Sequence, residues 1–209
     1  MQLYASVLKL NRDDCFALKV TDTYSIHRVV YSLFEDVRTE EEKCSSISSG
    51  IQWVDKGGDK TTRQILMLSD RKPTPNIDNK YGQVETKLLS ATYLDHRFYR
   101  FNIEINPACR HGNDGKVRPI KGRKEIAKWF KRRAFEDWGF DVDESNLIIE
   151  PNKLFEFRSK SKNKITIQKT KISGCLTVTD EALFKSAVRK GLGRGRAYGC
   201  GLLLVVPIV

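Results

Sequence analysis

Tyr24, His27 and Arg28 stand together in TDTYSIHRVVYSLF, residues 21–34. A histidine exchanges a proton near neutral pH, and a phenol or a cation can steady a charge that develops beside it. Those residue types suit proton transfer at a phosphate. At about 100° per residue, Ile26, Val29, Val30, Leu33 and Val37 form one apolar stripe of a helix over 22–37. Tyr24, His27, Arg28 and Tyr31 then collect on the other side. Tyr24 and His27, three apart, are neighbours on that surface. Asp22 or Thr21 caps the start, and the positive end of the helix dipole favours neutral His27. A bound phosphate favours the charged form. The plain alternative is a solvated histidine with no role.

The rest of the chain narrows the choice. Its 209 residues carry 37 Lys or Arg against 26 acids, a formal net charge of +11. That excess points to a polyanionic partner. The longest apolar run, CGLLLVVPIV, is far shorter than the ~20 residues of a membrane span, and the first residues do not read as a signal peptide. A cytoplasmic protein with no membrane partner is expected. The five cysteines (15, 44, 109, 175 and 200) are odd in number, form no C-x-x-C and have no metal-ligand spacing with His27, His96 or His111. They read as reduced thiols, with no metal and no cofactor.

Basic residues concentrate in three places. Residues 116–133 hold nine Lys or Arg and one acid. Lys121 and Arg123 precede or open a helix over about 123–138, and Lys128 and Arg132 lie opposite its apolar stripe of Ile126, Ala127, Phe130, Ala134 and Trp138. Ordinary solvated helix faces carry both signs, so this one reads as phosphate-binding. Arg158, Lys160, Lys162 and Lys164 alternate around a hairpin tip, where a solubilising loop is the competing reading. GLGRGRAYGCG, residues 191–201, has five glycines interrupted by Arg194, Arg196 and Tyr198. It follows a helix and precedes a strand, the reverse of a dinucleotide fingerprint, and reads as an RNA- or phosphate-contacting loop.

The elements repeat. Strands at about 2–10, 51–55, 63–69 and 86–93 surround the 22–37 helix in a β-α-β-β-loop-β order whose second helix has worn down. RFYRFNIEIN alternates with Tyr99, Phe101, Ile103 and Ile105 on one face. It opens a second β-α-β-β-α-β unit that ends in CGLLLVVPI. The expected fold is α+β: two tandem ferredoxin-like (RRM-like) domains, residues 1–94 with the histidine helix and 95–209 with the basic hairpin and glycine-rich loop.

With Tyr24-x-x-His27 ahead of Leu33-Phe34, GLGRGRAYGCGLL after a VRKG helix end, and the tandem order over almost the whole chain, the sequence resembles the CasE family. These are the CRISPR repeat-processing endoribonucleases of type I-E systems, subunits of the Cascade complex. The resemblance implies binding of the repeat stem-loop in pre-crRNA and cleavage at the 3′ base of the stem. It implies attack by the RNA's own 2′-hydroxyl, without metal, to leave 2′,3′-cyclic phosphate and 5′-hydroxyl ends, and retention of the crRNA within Cascade. It makes His27 the general acid or base and Tyr24 a phosphate-positioning group. Arg158 and Lys160 would hold the stem and the reacting phosphate; by their charge and placement, Arg28, Lys121, Arg123, Lys128, Arg132, Lys162, Arg194 and Arg196 are also expected to bind RNA. A non-catalytic RNA-binding subunit, an assembly protein for an acidic partner and a metal-dependent nuclease are the competing classes.

Overall fold

The computed structural model describes residues 2–39, 41, 48–59, 61–110, 116–158 and 164–208. It divides into two compact units, Met1–Ser90 with Ala197–Gly199, and Ala91–Arg196 with Cys200–Val209. Among the described residues, no helix is long and apolar enough to cross a membrane.

The first unit runs β1 (Tyr4–Asn11), α1 (Arg12–Ala17), α2 (Thr23–Tyr31), β2 (Ile51–Gly58), β3 (Thr62–Ser69) and β4 (Gln83–Leu88). The strands lie in the order β2-β3-β1-β4. All pairs are antiparallel, with Leu8 opposite Ile65 on one side and Val84 on the other. This is the ferredoxin-like order. Alternation places Leu8 and Leu10 on the inner face of β1, where they join Ile26, Val29 and Val30 of α2, Leu33 just beyond it and Trp53 of β2 in one core.

Three details differ from the sequence expectation. The histidine helix ends at Tyr31 instead of 37, so helical spacing no longer governs Val37, which is 65% exposed. Helix α1 was not foreseen: it has no buried residue, hence no apolar period. It stands on a reciprocal cap, in which Asn11 Oδ1 accepts from the Asp14 amide and Asp14 Oδ2 accepts from the Asn11 amide. The strand expected at 86–93 is Gln83–Leu88. It is an edge strand, and Leu88 at its end is exposed.

The second unit runs β5 (Phe98–Ile105), β6 (Ala108–Arg110), β7 (Val117–Pro119), α3 (Arg123–Asp137), β8 (Phe140–Val142), β9 (Ile148–Ile149), β10 (Lys153–Arg158), β11 (Lys164–Val178), α4 (Glu181–Lys190) and β12 (Leu203–Pro207). Its main sheet is β10-β11-β5-β12, with β8 and β9 also paired to the long β11. Counting β5, β10, β11 and β12 as first to fourth, the order is that of the first unit. The chain is therefore two tandem ferredoxin-like domains. Tyr99, Phe101, Ile103 and Ile105 are all buried, as their alternation requires. Phe101 stacks on Phe130 of α3 at 5.6 Å, and Phe130 meets Trp138 at 5.5 Å. These ring contacts fix which face of α3 turns inward and so which face carries its cations outward.

Candidate functional site

Helix α2 begins at Asp22, whose Oδ1 accepts from the Ser25 amide at 2.7 Å while Ser25 Oγ accepts from the Asp22 amide at 2.9 Å. This reciprocal cap sets the phase of the helix. Ile26, Val29 and Val30 then point into the core and His27 lies at its margin. Tyr24 and Tyr31, at −3 and +4, flank the imidazole: the Tyr31 ring centroid is 4.2 Å from it and that of Tyr24 is 6.3 Å. The histidine is thus half-buried between two phenols, not freely outward as the sequence suggested. Arg28, one step around the helix, is exposed.

Tyr31 is itself held. Its hydroxyl shares a 2.7 Å hydrogen bond with Ser49 Oγ. Arg71 steadies that segment: its Nη1 donates to the Ser49 carbonyl at 3.0 Å, its Nε donates to the Glu35 carbonyl at 3.1 Å, and it pairs with Asp70. The imidazole face is therefore built by loop residues far apart in sequence, which the helix pattern alone does not show.

The electrostatics of His27 follow from this packing. Burial lowers its pKa below the usual 6.5, and the nearby Arg38 guanidinium lowers it further. Nδ1 is buried with no hydrogen-bond partner among the described residues. Nε2 is the nitrogen left to meet a ligand. The lowered pKa favours the neutral imidazole, a form that can exchange a proton with a ligand.

Tyr198 joins the same unit as part of Ala197–Gly199. Its phenol pKa is raised, first by burial and then by the charge Tyr24 carries when ionised. Next to it, Gly199 has φ +75° and lies against the Trp53 ring, where an added Cβ would stand 2.7 Å from a ring carbon. Tyr31, Arg38 and Tyr198 are the residues missing from the sequence-derived site. Tyr31 shared the outward set, and Tyr198 was the aromatic in the glycine-rich loop. Arg38 had no signal beyond its charge.

The glycine-rich loop differs from a phosphate cradle. The Leu192 amide donates to the Gly201 carbonyl at 2.8 Å, Gly201 to Glu104 at 2.7 Å and Cys200 to Gly195 at 3.2 Å. Those amides close the loop on itself and on β5. A Cβ at Gly201, whose φ is +88°, would stand 2.3 Å from the Leu192 carbonyl oxygen, so glycine serves close backbone approach there. Arg196 donates to the Lys190 carbonyl at 2.8 Å, satisfying an end carbonyl of α4. Arg194 is exposed and its backbone forms a bridge with Asn106.

In the second unit, Lys121, Lys128 and Arg132 line one groove of about 430 Å³ with Ile120 and Trp129. Arg123 opens α3, and its guanidinium reaches the Leu147 carbonyl at 3.4 Å. Lys160, Lys162 and the side chain of Arg158 lie outside the described residues.

A family model described as CRISPR associated protein matches residues 3–207. A curated relative, CRISPR-associated endoribonuclease Cse3 of Thermus thermophilus, is 32% identical over 141 residues. The alignment covers 63% of this chain and 66% of that protein, just under two thirds of its length. Among solved structures, CRISPR endoribonuclease Cse3 bound to 19 nt RNA superposes with a TM-score of 0.80 at 25% identity, covering 99% of this chain and 100% of that one. The CRISPR-associated protein Cas6e from Escherichia coli str. K-12 has a TM-score of 0.64 at 18% identity, covering 98% of this chain and all of its own, a likeness of fold.

Proposed function

The chain belongs to the CRISPR-associated protein family, and from that premise we propose that it is a CRISPR RNA-processing endoribonuclease. It binds the repeat stem-loop of pre-crRNA, cuts at the 3′ base of the stem and keeps the product within a type I-E Cascade complex in the cytoplasm. The relative's name as an endoribonuclease and the full-length likeness to an RNA-bound Cse3 support the reaction class. The observation that carries the site is the half-buried His27 between two tyrosines, with Nδ1 closed off.

The 2′-oxygen bonds to phosphorus as the 5′-oxygen bond breaks. One proton leaves the first oxygen and one arrives at the second, leaving a 2′,3′-cyclic phosphate and a 5′-hydroxyl. His27 is the proton-transfer group. Tyr24 positions the phosphate, with Tyr198 in electrostatic reach of it, and Arg38 adds positive charge near the imidazole. Arg28, Lys121, Arg123, Lys128, Arg132, Arg158, Lys160, Lys162, Arg194 and Arg196 supply phosphate contacts. No metal or other cofactor takes part.

Cleavage of a repeat stem-loop RNA in excess chelator, by the wild-type protein and by His27→Ala, tests this. Cutting by the wild type alone, blocked by a 2′-deoxy group just upstream of the cut, supports the reading. Binding without cutting by either protein replaces it with a non-catalytic RNA-binding subunit.

A further inference from the structure

The cations of α3 are not equivalent. Arg133 pairs with Asp137 at 2.8 Å, and Lys131 reaches Asp141 at 3.7 Å. Among the described residues Lys128 pairs only with Glu125, at 3.3 Å with both side chains more than 60% exposed, a pair that gives way easily in water. Lys121 and Arg132 meet no carboxylate within 4.0 Å among the described residues. Lys121, Lys128 and Arg132 are the three cations that line the groove. Its apolar lining includes Ile120 and Trp129, and Glu125 also borders it.

Helical spacing continues the stripe. Lys128, Arg132 and Phe135 follow at intervals of four and three, on one face. Phe135 is 60% exposed, although the inner face of α3 is packed with aromatic rings. A basic stripe interleaved with an exposed aromatic suits single-stranded nucleic acid: cations take the backbone and the ring takes a base. A duplex keeps its base faces stacked inside and offers Phe135 nothing to stack on.

We propose that the outer face of α3 binds the single-stranded RNA that flanks the stem-loop, with Lys121, Lys128 and Arg132 on phosphates and Phe135 stacked on a base. This rests on the RNA-processing reading and names a second part of the same substrate. The stem-loop is gripped elsewhere, and the flank adds affinity through α3.

The test is equilibrium binding of three RNAs, each made uncleavable by a 2′-deoxy group: the bare stem-loop, and the stem-loop with a 5′ or a 3′ single-stranded flank. In the wild type, one flank tightens binding by about tenfold, the scale of one stacked base, and the arm that does so identifies the strand. Lys128→Ala/Arg132→Ala/Phe135→Ala loses that gain, and Phe135→Ala alone, which removes no cation, also loses it while binding the bare stem-loop within about twofold of wild type. Loss of two single-strand phosphate contacts also lowers the salt slope on flanked RNA by about 1.4, at about 0.7 each. Phe135→Tyr keeps the gain and Phe135→Leu loses it, which separates stacking from folding. The inference is overturned by flanks that add nothing to the wild type, by a gain that survives the triple substitution, or by equal weakening on bare and flanked RNA. A wild type that binds none of the three overturns the RNA-processing reading itself.

Discussion

Gly199→Ala offers a sharp test of how residues 197–199 pack within the first unit. The new methyl group would stand 2.7 Å from Trp53 Cζ3 and 3.0 Å from two further ring atoms. Trp53 is 1% exposed and packed among Leu8, Ile26 and Ile51, so the ring has no room to retreat. Alanine also has to hold φ +75°, at about 1–2 kcal/mol. Intrusion into a packed ring adds about 1–3 kcal/mol, for a total of about 2–5. Gly57 supplies the control: its φ is +72° and nothing lies within 4 Å of an added Cβ, so Gly57→Ala keeps only the conformational cost of about 1–2 kcal/mol. Urea unfolding followed by tryptophan fluorescence gives both values, and cleavage assays on the same samples report the displacement of Tyr198. Equal destabilisation by the two substitutions, within about 0.5 kcal/mol, would refute the contact.

Four further outcomes are expected. His27→Ala slows single-turnover cleavage by about 10²–10⁴-fold, with stem-loop affinity unchanged in a filter-binding assay. Because the folded-state pKa of His27 lies below the unfolded 6.5, the unfolded chain binds more protons between those values. Stability is therefore full above 6.5 and falls as pH drops toward the folded pKa; urea midpoints at pH 7.5 and 5.5 should show a smaller loss in His27→Gln than in the wild type. Tyr198→Ala lowers the single-turnover rate by about 10–100-fold through misplacement at the phosphate, and a rate unchanged at matched RNA saturation would remove Tyr198 from the site. Burial pushes the Cys200 thiol up to about 12, so iodoacetamide at pH 8 should label exposed Cys175 well before Cys200, as read by peptide mass spectrometry.

The sequence carried the elements that have a period and hid those that do not. The stripes of α2 and α3 and the alternation of β5 were legible because burial repeats at 3.6 or 2 residues. Helix α1 buries nothing, and β4 is an edge strand with little to alternate against, so neither showed its place. The same limit applies to the site. Tyr24 and His27 share a helix face and could be read as a pair. The pairing of Tyr31 with Ser49, the hold of Arg71 on that segment and the packing of Gly199 against Trp53 are long-range contacts that no local pattern encodes. In the glycine-rich loop the amides of Leu192, Cys200 and Gly201 close the loop and Gly199 lets the backbone reach Trp53, which its spacing alone does not show.

That loop also sets an order of events during synthesis. The first unit counts Ala197–Gly199 among its own residues, yet these are translated more than a hundred residues after β4. A ribosome that has released Met1–Ser90 has released a sheet and its histidine helix, but Trp53 still lacks the glycine that lies against it. The first unit is therefore completed only after residue 199 has left the exit tunnel. On the proposed reading, nascent chains stalled before that point should be incompetent to cut RNA although His27 is already present.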